Sequence, residues 1–258
     1  MNLIRKAKGF LFDLDGVFCQ SGKPLPGAID TLSYLREIKI PFRFLTNTTL
    51  YNRHTLQKKL AEIGLGCSEN EIISAGYVGI DFIRKMGSPS CRYFIPENLK
   101  KDYSEFEEDL NHPGTILIGD YDEWTFDLLN QAFQHVMDGA EIIALHKGKY
   151  YKVDSGLRLD AGGFVAALEF ATGKNAHVVG KPNKAFFQCA LDDLSLTPED
   201  VVMFGDDLIN DVQGAQNHRI PGILVKSGKY HEGMVESSGI NPDGLIDSIA
   251  DLPTILNS

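Results

Sequence analysis

Positively charged side chains are in short supply: 25 Lys and Arg stand against 35 Asp and Glu, a formal net charge of −10 at pH 7. That balance excludes a nucleic-acid backbone as the expected partner, because phosphate contacts need clustered cations. A small anionic ligand would need a local cation to offset the background field. Cysteine is scarce too. Cys19, Cys67, Cys91 and Cys189 are scattered with no CxxC pair, so the spacing predicts neither a zinc site nor a disulfide framework and fits reduced thiols in a cytoplasmic protein. Long apolar runs are missing. Basic residues open the chain in MNLIRKAKGFLFDLD, but the apolar run from Gly9 to Phe12 ends at Asp13 and is far too short for a signal peptide. No other stretch reaches the length of a membrane span, so a soluble, cytoplasmic protein with no membrane partner is expected. Repeats and low-complexity tracts are absent as well.

What the chain does have is alternation. At 258 residues, 43% apolar and 23% charged, it is long enough for one large or two smaller domains whose core needs no disulfide. Short β-like runs alternate with amphipathic segments, the pattern of parallel βαβ units. FLFDLD and PFRFLTN read as the first two strands, and AIDTLSYLREI between them places Ile29, Leu32, Leu35 and Ile38 at helical spacing. RHTLQKKLAEIG is a further helix with Leu56, Leu60 and Ile63 on one face and Gly64 as its stop. EIISA reads as a third strand and YVGIDFIRKMG as a helix. Beyond them SCRYFI, GTILIGD and EIIALH read as strands, and EWTFDLLNQAFQHVM as a helix with Phe126, Leu129, Phe133 and Val136 inward. KGKYYKVDSGLRL reads as a hairpin turning around Asp154 to Gly156. After the helix-like AGGFVAALEFATG, the βα rhythm returns in AHVVG, KAFFQCALDDL, DVVMFGD, LINDVQGAQNHR and PGILVKSG. The expected fold is α/β, a doubly wound, Rossmann-like parallel sheet interrupted by a smaller α/β unit.

In open parallel sheets ligands bind beyond the carboxyl ends of the strands, where the strand order switches. That rule selects four places. Asp13 and Asp15, at i and i+2, point the same way from a strand end, and Gly16 permits a tight turn. Thr46 and Asn47 offer a hydroxyl and an amide just before a helix, whose free N–H groups favour an anion. Lys181 stands in VVGKPNKAFF, with Pro182 suited to a first helical turn. MFGDDLINDV places Asp206 and Asp207 at a strand end and Asp211 one loop further on. Singly, each has an ordinary reading as a solvated strand end, a helix cap, a surface charge or a turn. Together, three or more carboxylates on one sheet edge repel each other unless a cation sits among them, and all-oxygen ligands favour Mg²⁺ over zinc or copper. A lysine and a hydroxyl beside that cation describe a pocket for a phosphoryl group. One ionised carboxylate is then a nucleophile that divides hydrolysis through an aspartyl phosphate. A second carboxyl two residues on protonates the leaving oxygen and later takes a proton from the attacking water.

DLDG, TN, GKP and GDDLIND, in this order, resemble the four motifs of the haloacid dehalogenase (HAD) superfamily of phosphatases. With its insertion between the second and third motifs, the chain is similar to the class IIA branch, the NagD and 4-nitrophenylphosphatase-like enzymes. PGA at 26–28, TNTT at 46–49 and HKGKYYK…GLRL at 146–159 carry that closer likeness. The resemblance implies a HAD core over residues 1–77 and 178–258 with an inserted α/β cap of the C2 type over 78–177. It implies Asp13 as nucleophile, Asp15 as general acid/base, Thr46 and Asn47 as holders of phosphate oxygens, and Lys181 as the cation steadying nucleophile and transferring phosphoryl. Mg²⁺ is implied on the Asp13 carboxylate, the Asp15 backbone carbonyl and Asp206, with Asp211 supporting it directly or through water. Asp207 stands where relatives often carry arginine, and its role stays open. Gly119, Asp120 and Tyr121 mimic the later GDD but fall inside the implied cap and are assigned no catalysis.

The implied substrate is a small phosphorylated metabolite: a phosphomonoester such as a sugar phosphate, a nucleotide monophosphate, phosphoglycolate or 4-nitrophenyl phosphate. In such enzymes the cap is implied to choose it by closing over the site and excluding water. The family pattern is small and apolar where GLRLDAGGF places Arg158 and Asp160, so one of them is expected to touch the leaving group, against the alternative of an exposed hairpin charge pair. Tyr150 and Tyr151 are expected to be hairpin packing. A homodimer or homotetramer through the cap is in keeping with the resemblance. A receiver-type phospho-acceptor module would need neither the DxD nor the insertion, and a member that binds phosphorylated ligands without turnover is at odds with a complete set of motif residues.

Overall fold

A computed structural model describes residues 2–87, 90–153 and 156–258. The chain divides into two compact units, the first formed by Met1–Thr46, Arg53–Ile73 and Lys181–Ser258, the second by Asn47–Asn52 and Ser74–Gly180. The junctions therefore fall a few residues from 77 and 178, and the short segment after Thr46 goes with the second unit. Local bonds explain this. The Tyr103 hydroxyl donates to Gly76 O at 2.6 Å, tying the helix Ala75–Met86 into the second unit, and the Thr49 hydroxyl donates to Asp120 at 2.7 Å.

The first unit carries a six-stranded sheet in the order Gly244–Ile246, Gly222–Val225, Val201–Gly205, Gly9–Asp13, Phe42–Thr46, Ile72–Ser74. Gly9–Asp13 pairs in parallel with Val201–Gly205 on one side and Phe42–Thr46 on the other, so the strand order reverses at this central strand. Its residues are all buried, as an apolar run covered on both faces requires. Phe12 packs among Phe18, Phe42, Phe44 and Phe204 at ring separations of 5.1 to 6.4 Å. The strand Gly244–Ile246 and the helix Asn2–Lys6 are additions to the elements read from the sequence.

Two amphipathic faces are rotated from the expected ones. In the helix Ala28–Glu37 the buried residues are Ala28, Thr31, Leu32 and Leu35, while Ile29 and Ile38 are exposed. Thr31 reaches its place by donating its hydroxyl to Ile249 O at 3.1 Å, a bond that apolar spacing does not reveal. The expected helix at LINDVQGAQNHR is a π-helical turn, Leu208–Gln213, followed by Gly214–Gln216. The helix Lys184–Leu194 starts after Asn183, whose side chain accepts from Ala185 N at 3.0 Å, so Pro182 precedes the cap rather than occupying the first turn.

The second unit has a five-stranded parallel sheet in the order His177–Val178, Glu141–Ala144, Thr115–Ile118, Ser90–Phe94, Glu107–Glu108. Ile116, Ile118, Ile142 and Ala144 of the strands form its core with Ala132, Val136, Val165 and Leu168 of two helices, Phe126–Met137 and Ala161–Thr172. Leu129 and Phe133 pack partly buried against it, but Phe126 is 81% exposed. The buried stripe runs through Ala132, His135 and Val136, and Phe126 lies half a turn round from His135 at about 100° per residue. Tyr150–Val153 and Gly156–Leu159 pair antiparallel as expected; Asp154 and Ser155 of the expected turn lie outside the described residues. Tyr150 and Tyr151 are exposed rather than packed. Among the described residues no helix is long and apolar enough to cross a membrane.

Candidate functional site

At the carboxyl end of the central strand Asp13 is buried, and the chain leaves the sheet through Gly16, whose φ is +94°. Leu14 faces inward and is buried. Lys181, 168 positions along the chain, donates from its Nζ to Asp13 Oδ1 at 2.5 Å. The same ammonium donates to Asp211 Oδ1 at 2.7 Å and to Leu45 O at 3.1 Å. Asp206 and Asp211 are each 1% exposed. One ligand atom from each of Asp13, Asp206 and Asp211 lies within 4.8 Å of the others.

Burial is the main cause that pushes Asp13 up to about 7, and repulsion from Asp206 and Asp15 adds to it while Lys181 opposes. Asp211 is likewise raised to about 7 by burial and then by Asp13, and Asp206 to about 6 by burial and then by Asp211. Burial alone would lower Lys181, but Asp13 and Asp211 outweigh it and hold the ammonium protonated. Three carboxylates against one ammonium leave two negative charges, and their raised values register that excess. Asp211 has a donor on each oxygen, Lys181 Nζ on Oδ1 and Asp207 N on Oδ2 at 3.2 Å. Asp206 differs: its Oδ2 accepts from Lys229 N at 2.7 Å, while its Oδ1 is buried with no hydrogen-bond partner. An orphaned buried carboxylate oxygen within a cluster that carries two negative charges in excess fits a hard divalent cation with oxygen ligands. The residues that could hold it are Asp13, Asp206 and Asp211.

The other predicted residues have more varied places. Asp15 is exposed, with its Oδ1 3.8 Å from the Cys19 thiol. Thr46 ends the strand Phe42–Thr46 buried in the first unit, whereas Asn47 belongs to the second. Asp207, whose role the sequence left open, is a cap: it accepts from Ile209 N at 3.1 Å, Asn210 N at 2.9 Å and Lys229 Nζ at 2.8 Å. Burial acts to raise it, but Lys229 and Asn210 hold it down at about 2. The segment Ser227 to Lys229 carries no signal in the sequence pattern itself. It follows the strand Gly222–Val225, and the strand-end rule applied to that strand points to it.

In the second unit Arg158 donates to Asp122 at 2.9 Å on an exposed face. Asp160 caps Ala161–Thr172 by accepting from Ala161 N at 2.8 Å. Both thus have partners within their own unit. Asp120 accepts from the Thr49 amide at 3.1 Å and hydroxyl at 2.7 Å, and lies 3.2 Å from His146 Nε2. His146 is buried, with Nδ1 3.8 Å from Asp160. Burial would lower the imidazole, but the bond to Asp120 and the charges of Asp120 and Asp160 raise it above 6.5. A base whose folded value is raised stabilises the fold fully below its unfolded value, and loses that contribution as pH rises through the folded one. His146→Gln is therefore expected to lower the midpoint of urea unfolding most at pH 5.5 to 6, with a smaller deficit at pH 8. A deficit that grows with pH would refute the assignment.

Comparison with known proteins follows the same lines. Residues 10–107 match the family model "Haloacid dehalogenase-like hydrolase", and residues 178–252 match a HAD-hydrolase-like model. Haloacid dehalogenase-like hydrolase domain-containing protein 2 of Mus musculus is 40% identical over 92% of this chain and 90% of its own length. Phospholysine phosphohistidine inorganic pyrophosphate phosphatase of Danio rerio is 33% identical over 97% of this chain and 94% of its own. Among solved structures, the p-nitrophenyl phosphatase of Archaeoglobus fulgidus superposes with a TM-score of 0.91 at 26% identity, covering 97% of this chain and all of the other.

Proposed function

Since the chain belongs to the haloacid dehalogenase-like hydrolase family and within it is a phosphatase, we propose that it hydrolyses a small phosphomonoester with Mg²⁺ bound beside Asp13, through a phosphoryl group carried on that carboxylate. The observation that carries this reading is the buried set of Asp13, Asp206 and Asp211 on the single ammonium of Lys181, with Asp206 Oδ1 left without a donor. Asp13, Asp206, Asp211 and the Asp15 carbonyl would hold the Mg²⁺. Bound there, it screens the anionic nucleophile from the anionic phosphoryl group and neutralises charge in the transition state.

The chain's own residues do the rest. An Asp13 oxygen attacks phosphorus, the bond from phosphorus to the ester oxygen breaks, and that oxygen takes the proton of the Asp15 carboxyl. Asp15, now ionised, takes a proton from a water that attacks phosphorus, releasing inorganic phosphate and restoring Asp13. Lys181, fixed to Asp13 and Leu45 O, holds the nucleophile's orientation and offers positive charge to the transferring group. Thr46 and Asn47 are proposed to hold phosphate oxygens.

A phosphate-release screen over sugar phosphates, nucleotide monophosphates, phosphoglycolate and 4-nitrophenyl phosphate identifies the substrate. EDTA is expected to reduce release by at least about a hundredfold, a few kcal/mol of lost transition-state stabilisation, and added Mg²⁺ to restore it. Undiminished release from the EDTA-treated protein would refute the metal dependence.

A further inference from the structure

The loop Ser227, Gly228, Lys229 leaves the carboxyl end of the strand Gly222–Val225 and is tied to the segments that follow the next two strands toward the middle of the sheet, Val201–Gly205 and Gly9–Asp13. The Ser227 hydroxyl donates to Gly16 O at 2.5 Å, in the turn that follows Asp13 and Asp15. The Lys229 amide donates to Asp206 Oδ2 at 2.7 Å, and its ammonium donates to Asp207 at 2.8 Å. Between them Gly228 adopts φ +54°, and a Cβ there would stand 1.9 Å from Asp206 Oδ2 and 2.7 Å from Gly16 Cα. Gly16 closes the other side: its Cβ would stand 2.1 Å from the same oxygen. Asp206 Oδ2 is thus gripped by one amide and hemmed in by two glycines, while Oδ1 has no partner.

From this geometry we infer that residues 227–229 form a clasp that aims Asp206 Oδ1 at the cation and so sets the protein's Mg²⁺ affinity. The inference rests on the metal reading above but concerns residues to which that reading assigns no part. Without the clasp Asp206 would be free to turn, and the orphaned oxygen would find water or a backbone donor instead. The Ser227 bond adds a constraint on the Gly16 peptide, fixing the turn that carries the Asp15 carbonyl. A loop serving only to close the sheet edge would affect stability and leave ion affinity alone.

The test is calorimetric titration of the purified full chain with Mg²⁺, without any phosphorylated compound, beside urea unfolding in EDTA. Ser227→Ala is expected to weaken Mg²⁺ binding by about tenfold and Gly228→Ala by up to about a hundredfold, the range seen when groups that orient a metal ligand are removed. Lys226→Met, which breaks only a surface pair with Asp247, should bind Mg²⁺ like the unaltered chain. Ser227→Ala and Gly228→Ala binding within about twofold of the unaltered chain would overturn the clasp. If Gly228→Ala does not fold, Ser227→Ala decides alone: weakened binding with unchanged unfolding supports the clasp, and unchanged binding overturns it. An unaltered chain that binds no Mg²⁺ would overturn the clasp and the metal reading together, an outcome distinct from either variant's.

Discussion

Asp13→Asn is expected to lower phosphate release by at least about a thousandfold while leaving the protein folded. The two halves of that expectation have different causes. Activity is lost because an amide cannot form the phosphorylated carboxylate, and the other carboxylate on Lys181, Asp211, already has a donor on each of its oxygens. The fold survives because burial already pushes the Asp13 carboxyl up to about 7, so a neutral group of the same shape is tolerated there. Lys181 keeps Asp211 as its counter-ion at 2.7 Å. The measurement is phosphate release per mole of protein beside a urea unfolding curve. Undiminished release by the variant would overturn the nucleophile assignment, and unfolding of the variant would overturn the account of its electrostatics.

Lys181→Met should differ from Asp13→Asn in carrying a large cost in stability. The ammonium is buried and donates to two buried carboxylates and a backbone carbonyl. Removing it leaves Asp13 and Asp211 facing one another without compensation, a loss of about 3–5 kcal/mol for a broken buried ion pair. Measured in EDTA, so that no divalent cation substitutes, the deficit should be greatest at pH 8. Both carboxyls are raised above their unfolded values, and without Lys181 they rise further. Protonation as pH falls toward 5 therefore removes the uncompensated charge in the variant and dissolves the ion pair in the unaltered protein, so the two curves converge. A deficit independent of pH would mean that Lys181 acts through packing alone.

Much of the site is legible in the amino-acid sequence because the chemistry sits at strand ends. Asp13, Lys181 and Asp206 each follow an apolar run, Asp211 lies in the turn just beyond Asp206, and the expectation that like charges need a shared cation singles out the carboxylates. What escapes depends on facts that side-chain pattern does not encode. Asp207 looks like a fourth acidic ligand in the GDD run, but its carboxylate is used up by the first turn of its own segment and by Lys229. The Ser227 to Lys229 loop contributes a backbone amide, a hydroxyl and a missing Cβ, none of which marks a sequence as acidic or basic. Ile29 and Phe126 are expected inward because each starts an apolar repeat, yet the buried stripes pass through Thr31 and His135, polar residues that a hydrophobic count leaves out. Arg158 and Asp160 depart from the family pattern, and the pairing of one with Asp122 and the capping role of the other supply reasons that do not involve a ligand.

The central strand has a consequence for synthesis. Gly9–Asp13 is made well before Val201–Gly205, one of the two strands it pairs with, and before Lys181 and Asp206. A ribosome-bound chain stalled at residue 180 would hold Asp13 with neither its counter-ion nor two of the three carboxylates, and with one edge of its strand open. Emergence of the residues beyond 180, and the closure of a very long loop, would then fill the open edge of this strand and give Asp13 its counter-ion in one event.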